Sequence, residues 1–362
     1  MLDPIKVLHV FSTFDLGGAQ ARTIQLIEAF GDKYEHHIAA MDSRFGATSK
    51  LGPRKNVQLV KLQIKKSAGL ANGQCIRDCV DAIAPATLIT YNWGAVEWTL
   101  AKLPRAVKRI HVEEGFSVDE AQKRFFRRNL LRRIAFKMRP IYLVTVSNTL
   151  LEISSKEWGI TKNRSRFIPN GVDTELFYPS TISAEKVDSN FVFGTVCGLR
   201  PEKRLERLID AFSELPKGSA VLKIAGDGPL RKSLVEQVNR LGLQSNVLFL
   251  GHLENPAPFY RDLHAYVLVS GTEQAPLSLL EAMSSALPCV VTNVGDMQQM
   301  LPVDHRRYIA NSDVTDIRNK LLQCMQEYRG QLPNNRLHVQ REFSFENMVA
   351  QWDQLISNRE AA

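Results

Sequence analysis

The stretch "FVFGTVCGLRPEKRLERLIDAF", Phe191 to Phe212, decides the reading of the fold. It opens with an apolar, β-branched run of strand length and closes with a helix-like run that begins near Leu205. A short polar turn joins the two. Strand, tight turn and helix in that order are the first half of a βαβ unit. The unit then repeats. "AVLKIAG" (220–226), "NVLFLG" (246–251), "AYVLVS" (265–270) and "PCVVTN" (288–293) read as buried strands, with helical runs at 205–215, 230–241 and 277–286 between them. An earlier series has the same grammar: "KVLHVFS" (6–12), "HHIAAM" (36–41), "VQLVKL" (57–62), "ATLITY" (86–91), "RIHV" (109–112) and "YLVTVS" (142–147). Two βαβα series predict an α/β protein with two Rossmann-like, doubly wound parallel sheets.

The 362 residues accommodate two domains. The stretch 168–190, rich in Pro, Asn, Gly, Ser and Asp, has linker composition. The expected division is a first domain over 1–171 and a second over 172–344. The tail "FSFENMVAQWDQLISN" (343–358) spaces Met348, Trp352 and Ile356 by four, as in an amphipathic helix. In sheets of this kind ligands lie outside the carboxyl ends of the strands, so a cleft between the two domains is the expected binding place.

Hydrophobic residues make up 44% of the chain and charged ones 23%, an ordinary globular balance. No apolar run reaches the ~18 residues of a spanning helix. "MLDPIKVLHVF" lacks the basic start and long apolar core of a signal peptide, so a cytoplasmic protein is expected. The five cysteines are scattered without CxxC spacing, and neither a disulfide framework nor a zinc site is expected. The net charge of +8 is concentrated. Between Asp119 and Arg139, Lys123, Arg124, Arg127, Arg128, Arg132, Arg133, Lys137 and Arg139 face only two acidic residues. A local patch calls for a located partner.

Several groups fall where strands end. Gly17 and Gly18, in "STFDLGGAQART", separate the first strand from a helix. They would let a phosphate approach the helix N-terminus, or they simply make a tight turn. The pattern is not G-x-G-x-x-G, and no acidic residue ends the second strand, which argues against a dinucleotide. Arg200 and Lys203 stand just after a strand and before a helix, a place that suits a diphosphate or, more blandly, surface charge. "IAGDGPLRKSL" (224–234) reads as a structural turn. His111 stands at the end of a predicted strand, aimed at the cleft or satisfied structurally, with Glu113 and Glu114 beside it.

Glu273 and Glu281 are eight positions apart. On a single helix they would differ by about 12 Å in rise. The carboxyls of a retaining glycosidase need a separation of about 5 Å. Pro276 suits a helix start, which leaves Glu273 in the preceding loop and Glu281 about one turn inside. They fit two contacts on one extended ligand, or a solvated face.

Taken together these motifs resemble the retaining, nucleotide-sugar-dependent glycosyltransferases of the GT-B fold, family four or group 1. The resemblance spans nearly the whole chain and is strongest from Val192 to Leu301, where "GLRPEKRLERLIDAF", "KIAGDGPLRKSL" and "NVLFLGHLENPAPFYRDLHAYVLVSGTEQAPLSLLEAMSSALPCVVTNVGDMQQML" follow in family order. "IPNGVDTELFYP" and "LGGAQ" are further landmarks. The resemblance implies an acceptor-binding first domain, with the helix 345–362 crossing back onto it, and a donor-binding second domain. Glu281 would hold the donor ribose and Glu273 the donor sugar. Arg200 and Lys203 would hold the diphosphate. Gln274, Ala275, Pro276 and Leu277 would form the donor loop, Gly17 and Gly18 would lie near the diphosphate, and His111 would lie near the reacting sugar.

Departures are plain: "EQAP" carries Gln274 where glycine is common, "AMSSALP" carries Ala286 where glycine is common, and Arg200 lies three before Lys203 rather than five. The implied reaction moves a hexose from a UDP- or GDP-sugar to an acceptor hydroxyl with retention. The acceptor attacks from the face the diphosphate leaves, and the leaving phosphate takes its proton. No metal or other cofactor is expected.

The segment after Asp119 spaces Phe126, Leu130, Ile134 and Met138 by four, with Arg124, Arg128 and Arg132 roughly opposite. A basic amphipathic helix of this kind fits an anionic membrane surface and a lipid-linked saccharide acceptor, in surface polysaccharide or glycolipid synthesis. The alternative is a helix packed by its apolar stripe with its arginines in water. No nucleic-acid module is present. The competing functions are another GT-B enzyme, such as a sugar-nucleotide epimerase or a phosphorylase, and a non-catalytic sugar-nucleotide-binding protein. No cofactor-lysine signature of a phosphorylase is found.

Overall fold

The apolar runs become parallel strands. The computed structural model describes residues 4–52, 54–62, 64, 72–115, 125–180, 190–328 and 333–358. Two compact units result. One comprises Met1–Pro169 and Met348–Ala362, the other Asn170–Asn347.

The first unit holds β1 (Ile5–Phe11), β2 (Tyr34–Ala40), β3 (Val57–Lys61), β4 (Thr87–Tyr91), β5 (Lys108–Glu113), β6 (Ile141–Thr145) and β7 (Ser165–Phe167). Their order across the sheet is β3-β2-β1-β4-β5-β6-β7. The second unit holds β8 (Phe191–Val196), β9 (Ala220–Ala225), β10 (Val247–Gly251), β11 (Ala265–Leu268), β12 (Cys289–Thr292) and β13 (Ile309–Ala310), ordered β10-β9-β8-β11-β12-β13. Every pairing in both sheets is parallel. In each, the first strand lies between neighbours on both sides, so successive crossovers run in opposite directions from it. A doubly wound sheet opens a crevice at that reversal, beyond the strand carboxyl ends.

Strands covered on both faces read as continuous apolar runs, and "CVVT" of β12 is buried throughout. The core of the second unit packs Phe193, Leu222, Val267 and Val290 of the sheet against Leu208, Phe212, Ile317 and Leu321 of its helices. Each such side chain, fully buried, contributes about 1.5–3 kcal/mol. β7 and β13 escape sequence reading because runs of three and two residues are too short to show a period.

The apparent linker is in part folded structure. Val172 N–H donates to Phe343 O (2.9 Å), Phe345 N–H donates to Val172 O (3.1 Å), and Phe177 O accepts from Ser284 Oγ (2.6 Å). Its composition reflects turns and caps rather than freedom: the Asp173 side chain accepts from the amides of Glu175 and Leu176. Residues 181–189 lie outside the described residues. The final helix, Phe345–Ser357, buries Met348, Trp352 and Ile356. Its Asp353 accepts from Tyr34 Oη and Lys33 Nζ, both at 2.7 Å, and Arg22 lies 5.6 Å above the Trp352 ring.

All five cysteines are free thiols. Among the described residues no helix is long and apolar enough to cross a membrane.

Ala286 occupies the left-handed backbone region, at φ 57°. A Cβ there costs roughly 1–2 kcal/mol, against roughly 0.5–1 kcal/mol of extra chain entropy lost by glycine. Ala286→Gly is therefore expected to stabilise the second unit by about 0.5–1 kcal/mol. A urea titration measures this, and a lower midpoint would mean that the buried methyl outweighs the backbone strain.

Candidate functional site

In the second unit the sheet reverses between β9 and β11, on either side of β8. The chain leaves β8 through Cys197–Arg204, makes a 3₁₀ turn over Pro201–Lys203, and enters the helix Leu205–Ser213. Pro201 starts the turn, and Arg204 at φ 51° closes it with a left-handed step. This places Arg200 and Lys203 at the carboxyl end of the central strand. Arg200 is exposed. Lys203 Nζ forms a close ion pair with Glu273 Oε1.

Glu273 reaches Lys203 from the loop after β11, and that loop is pinned on several sides. Ser270 Oγ donates to Glu273 Oε1 (2.8 Å), and Thr292 Oγ1 donates to Ser270 O (2.7 Å). Gly271 N–H donates to Glu202 O (2.8 Å), tying the loop to the turn after β8. Asp296 N–H donates to Gln274 O (3.2 Å), and Asn170 Nδ2 donates to Ala275 O (2.7 Å). Gly295, at φ 55°, lies so close behind that a Cβ there would stand 1.9 Å from Glu273 O. Only glycine leaves room for the loop.

Pro276, extended at ψ 125°, sits just before the helix Leu277–Ser284 rather than in its first turn. Leu277 is the first helical residue and Glu281 the fifth. Tyr260 Oη donates to Glu281 Oε2 at 2.6 Å. Desolvation by the packed surroundings pushes the Glu281 carboxyl up to about 7, and the Tyr260 hydrogen bond acts in the opposite direction. The loop after β9 is structural in form: Gly226, at φ 125°, approaches Cys197 O so closely that a Cβ would lie 1.9 Å away.

In the first unit Gly17 and Gly18 open the helix Gly18–Phe30, whose first turn has no side-chain cap. Its uncapped amides are the usual anion-binding feature of a helix start. Gln20 folds back, donating to Thr13 O at 2.9 Å. Arg22, on this helix, is buried and forms a close ion pair with Glu114. Burial pushes the Glu114 carboxyl up, and Arg22 works against that.

His111 departs from expectation. It lies inside β5 rather than at its end, and it is fully buried. Its Nδ1 lies 2.8 Å from Thr90 Oγ1, and its Nε2 lies 3.5 Å from Glu113 Oε2. His111 and Glu113 alternate onto one face of the strand, where Arg132 covers them. Arg132 Nη2 donates to Glu113 Oε1 and Nε approaches Oε2, both at 3.3 Å.

The basic helix Phe126–Met138 is also turned from its expected setting. It packs by Arg132, Ala135 and Phe136, not by the apolar stripe. Arg132 is 0% exposed, with its guanidinium 5.0 Å from the Trp93 ring and 4.8 Å from the Trp158 ring. Ion pairing and two aromatic faces compensate the buried charge. Phe126 (77% exposed), Leu130, Ile134 and Met138 (63%) face outward beside exposed Arg127, Arg133 and Lys137. Arg128 is half-buried over Trp93 and Phe125. Lys123 and Arg124 lie outside the described residues.

The structure therefore brings Lys203 and Glu273 into contact, holds Glu281 in a prepared setting, and places Arg200 on the same turn as Lys203. Tyr260, Ser270, Thr292 and Asn170 were not singled out from sequence. Ser270 Oγ and the Glu273 carboxylate are a local pair three residues apart, a signal that could have been read. The others act across the fold. Among the described residues no group of three or more His, Cys, Asp or Glu is arranged to hold a metal ion.

The family model "Glycosyl transferases group 1" matches residues 182–337, nearly the whole second unit. Over those residues the chain resembles the group 1 glycosyl transferases. Curated relatives of this chain include N-acetyl-alpha-D-glucosaminyl L-malate synthase of Bacillus anthracis, 27% identical over 194 residues, covering 51% of each chain. Another is the UDP-Gal:alpha-D-GlcNAc-diphosphoundecaprenol alpha-1,3-galactosyltransferase of Escherichia coli, 27% identical over 220 residues, covering 56% of this chain and 54% of the relative. Each match spans about half the relative's length. Among solved structures, Anabaena Alr3699/HepE in complex with UDP and glucose superposes with a TM-score of 0.78 at 18% identity, over 98% of this chain and 99% of that one. The two sheets, of seven and six parallel strands, are those of the GT-B fold.

A carboxyl raised to about 7 makes a prediction for stability. Between the ordinary glutamate range and pH 7 the native state keeps a proton that the unfolded chain has lost, so Glu281 costs stability as pH rises through that window. Glu281→Gln is expected to stabilise the second unit by on the order of 2 kcal/mol at pH 8, with the gain disappearing by about pH 5. Thermal melts at both pH values decide it. An equal gain at both would assign the effect to packing.

Proposed function

We propose that this protein transfers a sugar, of hexose type, from a nucleotide diphosphate sugar to an acceptor hydroxyl, with retention of configuration. The observation that carries the reading is the placement of Lys203 against Glu273 at the strand-order reversal of the second unit. An ammonium with a guanidinium one turn away suits a diphosphate, and suits it better as charge grows on departure. Lys203 is neutralised by Glu273, so a diphosphate bound here shares the cation. That leaves the Glu273 carboxylate available to sugar hydroxyls. Gln274 to Leu277 line the same loop, and Glu281 takes the ribose hydroxyls. The leaving phosphate accepts the proton of the attacking hydroxyl, which needs no separate base.

Of the UDP and GDP donors, the relatives favour UDP: one is named for UDP-galactose, and the HepE complex contains UDP and glucose. In the first unit, Gly17 and Gly18 offer an uncapped helix start of the kind that takes an anion. His111 has no surface with which to meet a sugar. Its part is to hold β4, β5 and the basic helix together.

Incubation with a panel of UDP- and GDP-sugars, with and without a bacterial lipid extract as acceptor, is expected to release nucleotide diphosphate from one donor. Lys203→Ala should lower that rate by about a hundredfold, the loss typical of a group that stabilises developing charge. Glu281→Ala should chiefly weaken donor binding. Neither release nor binding with any member of the panel would defeat the reading.

The outward stripe of the helix Phe126–Met138 adds the acceptor side. Exposed aromatic and aliphatic side chains flanked by Arg127, Arg133 and Lys137 match an anionic membrane surface, the setting of a lipid-linked saccharide. The protein is expected to sediment with phosphatidylglycerol vesicles and not with phosphatidylcholine vesicles. The double variant Phe126→Glu, Ile134→Glu should weaken that binding by tenfold or more, since each change removes apolar contact and adds repulsion. Equal sedimentation of wild type and variant would remove the membrane from the proposal.

A further inference from the structure

Nothing in the donor reading explains why a tyrosine is buried against Glu281. Tyr260 belongs to the short helix Ala257–Arg261 and is fully buried. The rings of Phe177, Phe259 and Tyr266 each lie 5.8 Å from it. So held, its hydroxyl has two acceptors in reach: Glu281 Oε2 at 2.6 Å and Ser278 O at 3.2 Å. A phenol has one hydrogen to give. The shorter contact, to a group that can carry charge, is the stronger. A neighbouring tyrosine differs: Tyr266 Oη donates to Ser278 Oγ at 2.7 Å.

We propose that Tyr260 is a positioning residue for nucleotide recognition: its hydroxyl fixes one oxygen of Glu281 and presents the other to the paired hydroxyls of a ribose. The inference rests on the donor reading above and deepens it. A carboxylate has room for about four hydrogen bonds. With Oε2 engaged by Tyr260, the rotation of the carboxyl is set and Oε1 keeps both lone pairs. Vicinal hydroxyls, each donating one hydrogen, need that arrangement in the ionised carboxylate. When Glu281 is protonated its own hydrogen can go to the tyrosine oxygen, and the phenol hydrogen then turns to Ser278 O. The second acceptor gives this exchange a place to end. Among the described residues, the titratable groups around the pair are Tyr266 from β11 and Cys289 from β12, both held neutral by burial. Burial already disfavours the Glu281 anion, and the phenol partly offsets this.

Isothermal titration of the full chain with UDP and GDP, and with their 2′-deoxy counterparts, from pH 5.5 to 8.5 tests the proposal. Wild type is expected to prefer the ribonucleotide and to bind it more tightly as pH rises through about 7, where the Glu281 carboxyl titrates. Tyr260→Phe keeps the ring and should melt like wild type. Its ribonucleotide profile should move to higher pH by about one unit, a tenfold loss near neutrality, because an anion has lost a hydrogen bond. Its binding of the deoxy compound should change little. Tyr266→Phe, which removes a hydroxyl from the same ring cluster, should leave the profile in place. If Tyr260→Phe keeps the wild-type profile while wild type discriminates ribose from deoxyribose, the role of Tyr260 falls and the donor reading stands. Wild type that binds neither nucleotide, or shows no ribose preference, overturns both. Should Tyr260→Phe not fold, the wild-type profile decides alone: ribose-dependent affinity that is flat with pH overturns the proposal.

Discussion

A parallel strand flanked on both sides must send its chain away on one face and receive the next on the other. β8, hydrogen-bonded to β9 and to β11, is in that position, and the arrangement of the second unit follows from it. The connections after β8 and β11 diverge, and the space they leave cannot be filled by either crossover helix. Polar residues at those two strand ends meet each other before they meet anything else. Lys203 and Glu273 are 70 residues apart in the chain and in contact in the fold for this reason.

The charges at that place are arranged in self-satisfied pairs. Lys203 has Glu273, Glu273 also has Ser270, and Glu281 has Tyr260. An unpaired buried charge is expensive, and each of these groups has a partner within the unit that meets that cost. The first unit uses the same device without exposing it. Arg22 with Glu114, and Arg132 with Glu113, are closed pairs that join helix to sheet.

Much of this was legible in sequence, for physical reasons. Strands buried on both faces announce themselves as apolar runs, and only the shortest, β7 and β13, had none to show. Pro276 between Glu273 and Glu281 split the two carboxylates into loop and helix because proline cannot continue a helix from within. What could not be read was any relation formed only by packing. Tyr260 and Glu281 lie 21 residues apart, and no period or motif connects them. His111 misled because its strand runs one residue past the predicted end, to Glu113, and Arg132 covers the face that carries the ring. The basic helix misled more deeply. Apolar spacing normally identifies the inward face, yet here Glu113, Trp93 and Trp158 form a better partner for a guanidinium than for a methyl group.

That last arrangement fixes how far the helix is rolled about its own axis. A helix held by an apolar stripe can slide or turn by small amounts, since dispersion contacts are tolerant of direction. One held by a guanidinium clamped between two indole rings and a carboxylate has almost no such freedom. Arg132 acts as a key that enters in a single orientation, and Phe126, Leu130, Ile134 and Met138 are outside because the key is inside. The outward greasiness of this surface is thus a mechanical result of one buried cation, and the four apolar side chains stay presented to the surroundings whether or not anything is there to receive them.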